Sequence, residues 1–462
     1  MKKKILLVFA HTQVSVTSMT VHTPPLGIGY IASFLLREGH SVKIVDLQVQ
    51  PDDLIFADLD FDFIGLSVLT PHFLRACELV KAIKERQFRG LIVIGGAHAT
   101  ALPEASLRQS GADLVCVGEG EAAMTKLAGG LPVADINGFG WLEDGKFRQN
   151  KIDDMAESLD HYPKPAFQLF DLKRYGSYNM AIVPPGTKDG IIITSRRCPF
   201  ACDFCFKIGH RVRFRSPENI VSEISQLKTD FGYTKFSLID DCFNANPPRA
   251  KEICRQIIRE KLGITFTLPN GIRGDLLDDE LAGLMKEAGC IGANIGVESW
   301  DDEVRAKMNK KLLREDASNA VKLLQQRGII CTAYFIMGHY HDTPESLQKN
   351  IDAVKALDAD FFQFSKFTPM PGSPIYNKIS AEGRLKELDF SKFSIFGDVS
   401  LMEHPRLSDA EIDSAIKIAY RKAAFRWRTV KVILQHPIIA WNVLRNIGQV
   451  GRMIKFTPAA KK

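Results

Sequence analysis

The segment Ser195-Arg-Arg-Cys198-Pro-Phe-Ala-Cys202-Asp-Phe-Cys205-Phe-Lys207 places three cysteines within eight residues. Thiolates are soft ligands that suit iron–sulfur clusters or zinc. A structural zinc site asks for four ligands, commonly as C-x₂₋₄-C pairs, and no fourth is evident beside these three. Three sulfurs suit a four-iron cluster that keeps one iron open to a substrate or cofactor. The other six cysteines, Cys77, Cys116, Cys242, Cys254, Cys290 and Cys331, fall mostly in strand or helix patterns and read as packing residues, with Cys242 beside Asp241 near the chemistry.

A loop of this kind needs a strand to carry it. The β-rich run 190–194 lies directly ahead, and further runs follow at 235–239, 265–268, 292–297, 330–337 and 361–366. Helical patterns separate them at 218–231, 248–261, 278–288, 315–327 and 344–357. Such a βα series predicts a partial or complete (β/α) barrel whose loops after the strands hold the chemistry. Asp240 and Asp241 close the second strand, Asn270 and Arg273 follow the third, and Glu298 and Ser299 follow the fourth. For each of these, a buried, hydrogen-bonded acid or a helix cap is an alternative to a ligand.

The front of the chain alternates in the same way. Strand patterns at 4–9, 41–46, 63–68, 91–94 and 114–117 enclose helical ones at 27–38, 73–86 and 121–127. This predicts a Rossmann-like (flavodoxin-like) α/β domain with a parallel sheet covered on both faces. Its ligand belongs beyond the carboxyl ends of the strands. Those ends carry His11, Ser67, Thr70 and His72, Gly95, Gly96 and His98, and Gly118 and Glu119. The glycines lie on several strand ends and not in one G-x-G-x-x-G turn, which argues against a dinucleotide. The chain thus divides into 1–130, a linker 131–188 with a hairpin over 136–147 around Glu143-Asp-Gly145, a barrel 189–385 and a helical, basic extension 386–462.

With 462 residues, 45% hydrophobic and 25% charged, the chain is neither disordered, fibrous nor a disulfide miniature. The apolar run within 1–10 is short for a secretory signal, and no apolar stretch reaches the roughly 18–20 residues of a membrane span. A cytoplasmic location is expected. The net charge of +6 belongs to the tail: from Ser414 on there are eleven Lys or Arg and no Asp or Glu. A capping box, Ser408 to Glu411, opens a helix over 408–428, and Pro437 separates it from a segment 438–454. There Ile439, Trp441, Val443, Leu444, Ile447, Val450 and Ile454 mingle with Arg445 and Arg452. Two readings stand: a cationic amphipathic helix at an anionic membrane surface, or a helix packed on the barrel with a solvated basic face. There is no nucleic-acid recognition module.

In the spacing Cys198-x-x-x-Cys202-x-x-Cys205 the chain resembles the radical S-adenosylmethionine superfamily, with Phe204 in the aromatic position common before the last cysteine. Asp240-Asp241-Cys-Phe243 resembles the D-D-x-F element of one branch. Gly338 to Glu345 and Thr368 to Pro374 resemble its fifth and sixth loops. The resemblance implies a [4Fe-4S] cluster on Cys198, Cys202 and Cys205 whose open iron is chelated by S-adenosylmethionine. An electron from an external flavodoxin- or ferredoxin-type reductant then yields a 5′-deoxyadenosyl radical. Phe204, Asp240, Asp241, Asn270, Arg273, Glu298 and Ser299 are the implied S-adenosylmethionine contacts.

The front domain is similar to the cobalamin-binding domain of that branch through Gly65-Leu-Ser67, Gly95-Gly96-Ala-His98-Ala-Thr100 and Gly118-Glu119-Gly120-Glu121. Ser67, Thr70, His72, Gly95, Gly96, His98, Gly118 and Glu119 are the implied cobalamin contacts. The D-x-H-x-x-G motif that brings histidine to cobalt in related mutases is absent, as it generally is in the radical branch. His72 is a candidate for lying near the cobalt, with a helix-capping or solvent role as the alternative. The resemblance implies a cobalamin-dependent radical methyltransferase acting on an unactivated carbon of a small metabolite. If the tail docks on a membrane, that metabolite is a lipid, isoprenoid or tetrapyrrole. The alternatives are a cobalamin-dependent radical cyclase or ring-rearranging enzyme of the tetrapyrrole cyclase type, and a cobalamin or redox sensor with a degenerate barrel.

Overall fold

A computed structural model of the chain describes residues 2–12, 22–152, 157–177, 182–184, 186–386, 389–394, 397 and 399–445. Strands β1 (Lys4–Ala10), β2 (Ser41–Asp46), β3 (Phe63–Val68), β4 (Leu91–Gly95), β5 (Leu114–Cys116), β6 (Phe139–Glu143) and β7 (Lys146–Gln149) form one sheet in the order β2-β1-β3-β4-β5-β6-β7. The first five are parallel, and the last two join antiparallel. Two-residue periodicity in β1 shows why both faces are covered. Ile5 and Leu7 pack under helices Leu26–Arg37 and Gly120–Ala128, while Leu6 and Val8 pack against helix Phe73–Glu85. The order 2-1-3-4-5 is flavodoxin-like, and its switch point lies between β1 and β3. The expected hairpin is β6–β7, turned by Asp144 and Gly145, both at positive φ. It extends the edge of this sheet.

The second sheet begins with β8 (Asp189–Ile192). A two-stranded ribbon of β9 (Ser195–Arg196) and β10 (Arg213–Phe214) follows. Then come β11 (Lys235–Leu238), β12 (Thr265–Ile272), β13 (Cys290–Glu298), β14 (Ile330–Met337) and β15 (Phe361–Lys366). These six main strands are parallel and adjacent in chain order. β8 and β15 do not pair, so the arrangement is an open, partial barrel. Ser216, Asn246, Asp278 and Thr343 cap the helices that follow β10, β11, β12 and β14. Both β12 and β13 run longer than their hydrophobic patterns predict and end in register shifts. Pro269 and Gly271 (φ 99°) interrupt the ladder in β12, and such irregularities turn side chains at the strand ends toward the site.

Helix Leu26–Arg37 serves both halves: Ile28, Ala32 and Leu35 face the first sheet, while Leu26 and Tyr30 enter the barrel core with Phe167. Further along, Phe390 and Phe393 of the C-terminal extension bury in the core of the first domain. Helix Asp409–Ala424 starts at the expected Ser408/Glu411 capping box and packs Ile412, Ala415 and Ala419 on the barrel. It does not continue to 428. The chain breaks where Arg426 stacks over Phe362 at 4.7 Å and donates to the Val354 carbonyl and the Asp358 carboxylate. Helices Trp427–Gln435 and Pro437–Arg445 follow. Ile447, Val450, Arg452 and Ile454 lie outside the described residues. Among the described residues no helix is long and apolar enough to cross a membrane.

Candidate functional site

The cysteine loop leaves β8 through a clamp. Buried Asp240, at the end of β11, accepts from the Thr194 amide (2.8 Å), Thr194 Oγ1 (2.9 Å), Ser195 Oγ (2.7 Å) and the Ser195 amide. Three of those bonds fall on Oδ1 and one on Oδ2. Asp240, expected as an S-adenosylmethionine contact, thus fixes the loop's entrance through most of its acceptor capacity. Arg273 is committed in the same way. Its guanidinium binds Asp275 through two bonds, donates to the Lys310 and Lys311 carbonyls, and stacks on Phe200 at 4.0 Å. It steadies the cysteine loop from below. Ser299, also an expected contact, is fully buried and bonds Asn350.

Glu298 sits at a register shift with φ 67°, paired to Lys310 at 2.8 Å. A Cβ at Gly296 would lie 2.5 Å from its Oε1, so the ends of the Glu298 and Lys310 side chains occupy the space over this glycine. Of the expected S-adenosylmethionine contacts, Asp241 and Asn270 remain exposed at the mouth. Asn270 holds the Ile239 carbonyl at 2.7 Å, and Phe204 meets the His339 ring edge-on at 6.2 Å.

Cys202 is buried, Cys198 half-buried and Cys205 exposed. A hydrogen bond from the Cys242 thiol pulls Cys198 down to about 6. Burial, first of all, pushes Cys202 up, and neighbouring Lys310 opposes that shift. Each thiolate raises the proton affinity of its neighbours, so three of them together call for a cationic centre. The cysteines of a cubane each take a different iron, so three suffice for it, whereas a structural zinc asks for four ligands. Arg197, directly ahead of Cys198, has φ 71° and a buried Nη1 without a hydrogen-bond partner. Strain and an orphaned cationic donor beside the sulfurs suit an anionic group such as a carboxylate.

The cysteine spacing did not reveal a second support. Asp203, between Cys202 and Cys205, is faced by His339 Nε2 at 3.3 Å and His341 Nε2 at 3.7 Å. His404, from the C-terminal extension, reaches the His339 carbonyl at 2.8 Å. The histidines follow β14, far from the cysteines in sequence, and no spacing rule links them.

At the switch point of the first sheet His72 behaves differently from a metal ligand. Its Nδ1 accepts from the Thr12 amide at 3.3 Å and lies 2.9 Å from Thr12 Oγ1. The proton therefore sits on Nε2, which makes that nitrogen a donor. His11 lies against the His72 ring at 3.9 Å, and burial holds both imidazoles at about 4, hence neutral. His11 and His22 each keep a buried Nδ1 without a partner, giving this edge unspent polar capacity. Ser67 is half-buried beside Gly96. A Cβ at Gly96 would come within 2.7 Å of the Val68 amide, and a Cβ at Gly95 would meet Cys116 at an ordinary 3.5 Å. Gly118, at φ 90°, donates its amide to Thr100 Oγ1 at 3.0 Å. The residues of this edge can accept a large ring.

Three expected cobalamin contacts have other work. Fully buried His98 stacks on Phe73 at 4.2 Å, meets Phe390 at 4.7 Å and lies 3.3 Å from buried Thr70. Both fasten the core beneath the edge and do not line it. Glu119 is taken by the other domain: it pairs with Arg196 at 2.9 Å and with Arg213, and Tyr162 donates to it at 3.3 Å. Glu121 joins Arg196 at 2.6 Å, and the Arg196 guanidinium lies over Tyr30 and Tyr162. Arg196 precedes Cys198 by two residues, and Arg213 lies on β10, which closes the cysteine loop. This clasp joins that loop to the carboxyl end of β5. Gly372 adds a third point of approach, where a side chain would strike Phe206 of the cysteine loop and come within 3.0 Å of Ala101 in the first domain.

An open parallel barrel with a C-x-x-x-C-x-x-C loop, clasped to the carboxyl edge of a flavodoxin-like sheet, defines a radical S-adenosylmethionine enzyme with a cobalamin domain. Comparison with known proteins agrees. The model of the Radical SAM superfamily matches residues 192–354, and that of the B12 binding domain matches residues 12–128. An uncharacterized methyltransferase of Pyrococcus horikoshii is 30% identical over 94% of this chain and 95% of its own. The anaerobic magnesium-protoporphyrin IX monomethyl ester cyclase of Rubrivivax gelatinosus is 25% identical over 90% of this chain and 75% of its own. The fold matches that of the radical S-adenosylmethionine methyltransferase TsrM from Kitasatospora setae with a TM-score of 0.69 at 21% identity, over 83% of this chain and 78% of that one. The chain belongs to the radical SAM superfamily, in the branch with a B12-binding domain ahead of the radical SAM domain. Its cofactors are a [4Fe-4S] cluster, S-adenosylmethionine and cobalamin.

Proposed function

We propose that this enzyme transfers a methyl group to an unactivated carbon of a small molecule. The observation that carries the reading is the clasp of Glu119 and Glu121 on Arg196 and Arg213, which holds a cysteine loop against a cobalamin-binding edge. Two cofactors serving one substrate need that fixed proximity. When bound, they supply S-adenosylmethionine cleavage by one electron and a corrin-carried methyl group.

Cys198, Cys202 and Cys205 hold the cluster, and Arg197, Asp241 and Asn270 face the amino acid end of S-adenosylmethionine. Ser67, Gly95, Gly96, Gly118 and His72 border the corrin. Asp240 and Arg273 keep the cysteine loop in one geometry, and Phe204 with Phe206 keeps water from it. The electron comes from an external flavodoxin- or ferredoxin-type reductant. A location at the inner membrane surface and an apolar substrate fit the cationic tail.

Anaerobically reconstituted enzyme, given S-adenosylmethionine with a CD₃ group and a low-potential reductant, is expected to pass the label to its corrin, read by mass spectrometry. Failure of that transfer in enzyme that still forms 5′-deoxyadenosine overturns methyl transfer. It would favour the cyclase alternative, which the similarity to the Rubrivivax gelatinosus cyclase keeps in view and which predicts a product that has lost hydrogen.

A further inference from the structure

Exposed apolar surface is concentrated in one place on this protein. Half of the large hydrophobic residues that stand exposed among the described residues fall between Ile418 and Leu444. Phe425, Trp427, Leu434, Trp441 and Leu444 leave 60–77% of their surface in water. Singly scattered apolar residues need no explanation, but a series of them along one stretch of chain does. The two last helices are each two-sided. Thr429 and Val432 are buried while Trp427, Val430 and Leu434 are exposed; Ile439 is buried while Ile438, Trp441 and Leu444 are exposed. Three- and four-residue spacings put each exposed set on one helical face. The inward side is seated on the protein by the Arg426 bonds and by Asn442, which donates to the Val183 carbonyl at 3.0 Å.

Charge selects what covers the outward side. Arg426, Arg428 and Lys422 are spent on Asp358, Asp360 and Asp352. Lys417, Arg421, Lys431 and Arg445 make no ion pair with a described residue, and no acid follows Asp413 anywhere in the sequence. A second copy seated on this face would set cations against cations. We propose that helices Trp427–Gln435 and Pro437–Arg445 dock the enzyme on an anionic phospholipid surface. Trp427 and Trp441 lie at headgroup depth, Leu434 and Leu444 enter the acyl boundary, and Lys431 and Arg445 meet the phosphates. The docking stands apart from the methyl-transfer reading, since it rests on the tail alone. Together with that reading it assigns an apolar, membrane-partitioned substrate.

Flotation of the full-length holoenzyme with vesicles tests it. About tenfold more protein is expected to float with phosphatidylglycerol-containing vesicles than with phosphatidylcholine alone, and added salt lowers that excess. The pair Trp427→Glu and Trp441→Glu abolishes flotation, and the pair Lys431→Glu and Arg445→Glu removes the preference for anionic lipid. Iron and corrin contents stay at wild-type values in both. The proposal is overturned by absence of flotation of the wild type, by equal flotation with both vesicle types, or by flotation that survives the tryptophan variants. It is also overturned, in favour of a second copy, if light scattering finds a dimer that those variants dissociate and no vesicle binding.

Discussion

Asp240 and His72 follow strands at the carboxyl edges of the two sheets, and the protein uses them in opposite ways. Behind the cysteine loop polar groups are spent. Asp240 takes four donors, Arg273 is bonded on its edges and stacked on its face, and Glu298 is closed by Lys310. At the cobalamin edge polar groups are held back: His11 and His22 keep a free nitrogen, and Gly96 stands where a side chain would crowd the Val68 backbone. A small inorganic cluster needs its ligands preorganised to within a fraction of an ångström, which buried hydrogen bonds provide. A broad organic ring needs a smooth edge and a few donors. The clasp between the two regions turns separate sites into one.

The strongest way to break the contrast is at the sulfurs. Replacing Cys198, Cys202 and Cys205 together by Ala is expected to abolish the broad visible absorption after anaerobic iron–sulfide reconstitution, while hydroxocobalamin still binds. A full four-iron complement in that variant refutes the ligand assignment. Next is the clasp. Glu119→Gln leaves Arg213 buried without its anion, and a loss of about 3 kcal/mol is expected from urea unfolding. A loss below about 1 kcal/mol shows that the clasp is incidental.

The pH dependence of the clasp has a definite sign. Burial alone raises the proton affinity of Glu119, but Arg196 and Arg213 outweigh it, so its carboxyl is held below the usual carboxylate range. Its stabilisation is therefore complete above that range and is lost as pH falls through the lowered value. Wild type is expected to lose more stability on acidification than Glu119→Gln, and parallel pH curves contradict the clasp. Asp240→Asn is smaller, about 2 kcal/mol, because the amide oxygen can keep the three donors on Oδ1 and the new NH2 meets one, the Thr194 hydroxyl. It should also lower iron loading without altering corrin binding. The smallest effect is expected at His72. Since its Nε2 is protonated, His72→Gln should leave the cobalt spectrum of bound cob(II)alamin unchanged, and loss of a nitrogen hyperfine pattern would make His72 an axial ligand.

Legibility followed distance along the chain. The three cysteines lie within one loop, so their spacing was readable, and the βα alternation was readable because strand and helix periodicities are local. The loops that surround the site were also locatable, but the roles of single residues on them were not. Asp240, Arg273 and Ser299 have the chemistry of cofactor contacts, and burial converted them into supports. His98 and Thr70 stand on a strand end yet sink beneath it once Phe390, nearly three hundred residues later, packs against His98. Near the tail, the capping box at Ser408 was exact in sequence, whereas the break at Arg426 depends on carbonyls of the barrel that no local pattern contains.

Residue types and their short-range spacing were enough to determine the three-cysteine loop, the two α/β units and the cationic tail, because each depends on covalent neighbours. Which charges would be spent and which left open was decided in three dimensions. Glu119 could have served the corrin, and it became a clasp because folding brought two guanidinium groups from the other domain to a half-buried carboxylate, where an unpaired charge would not be tolerated.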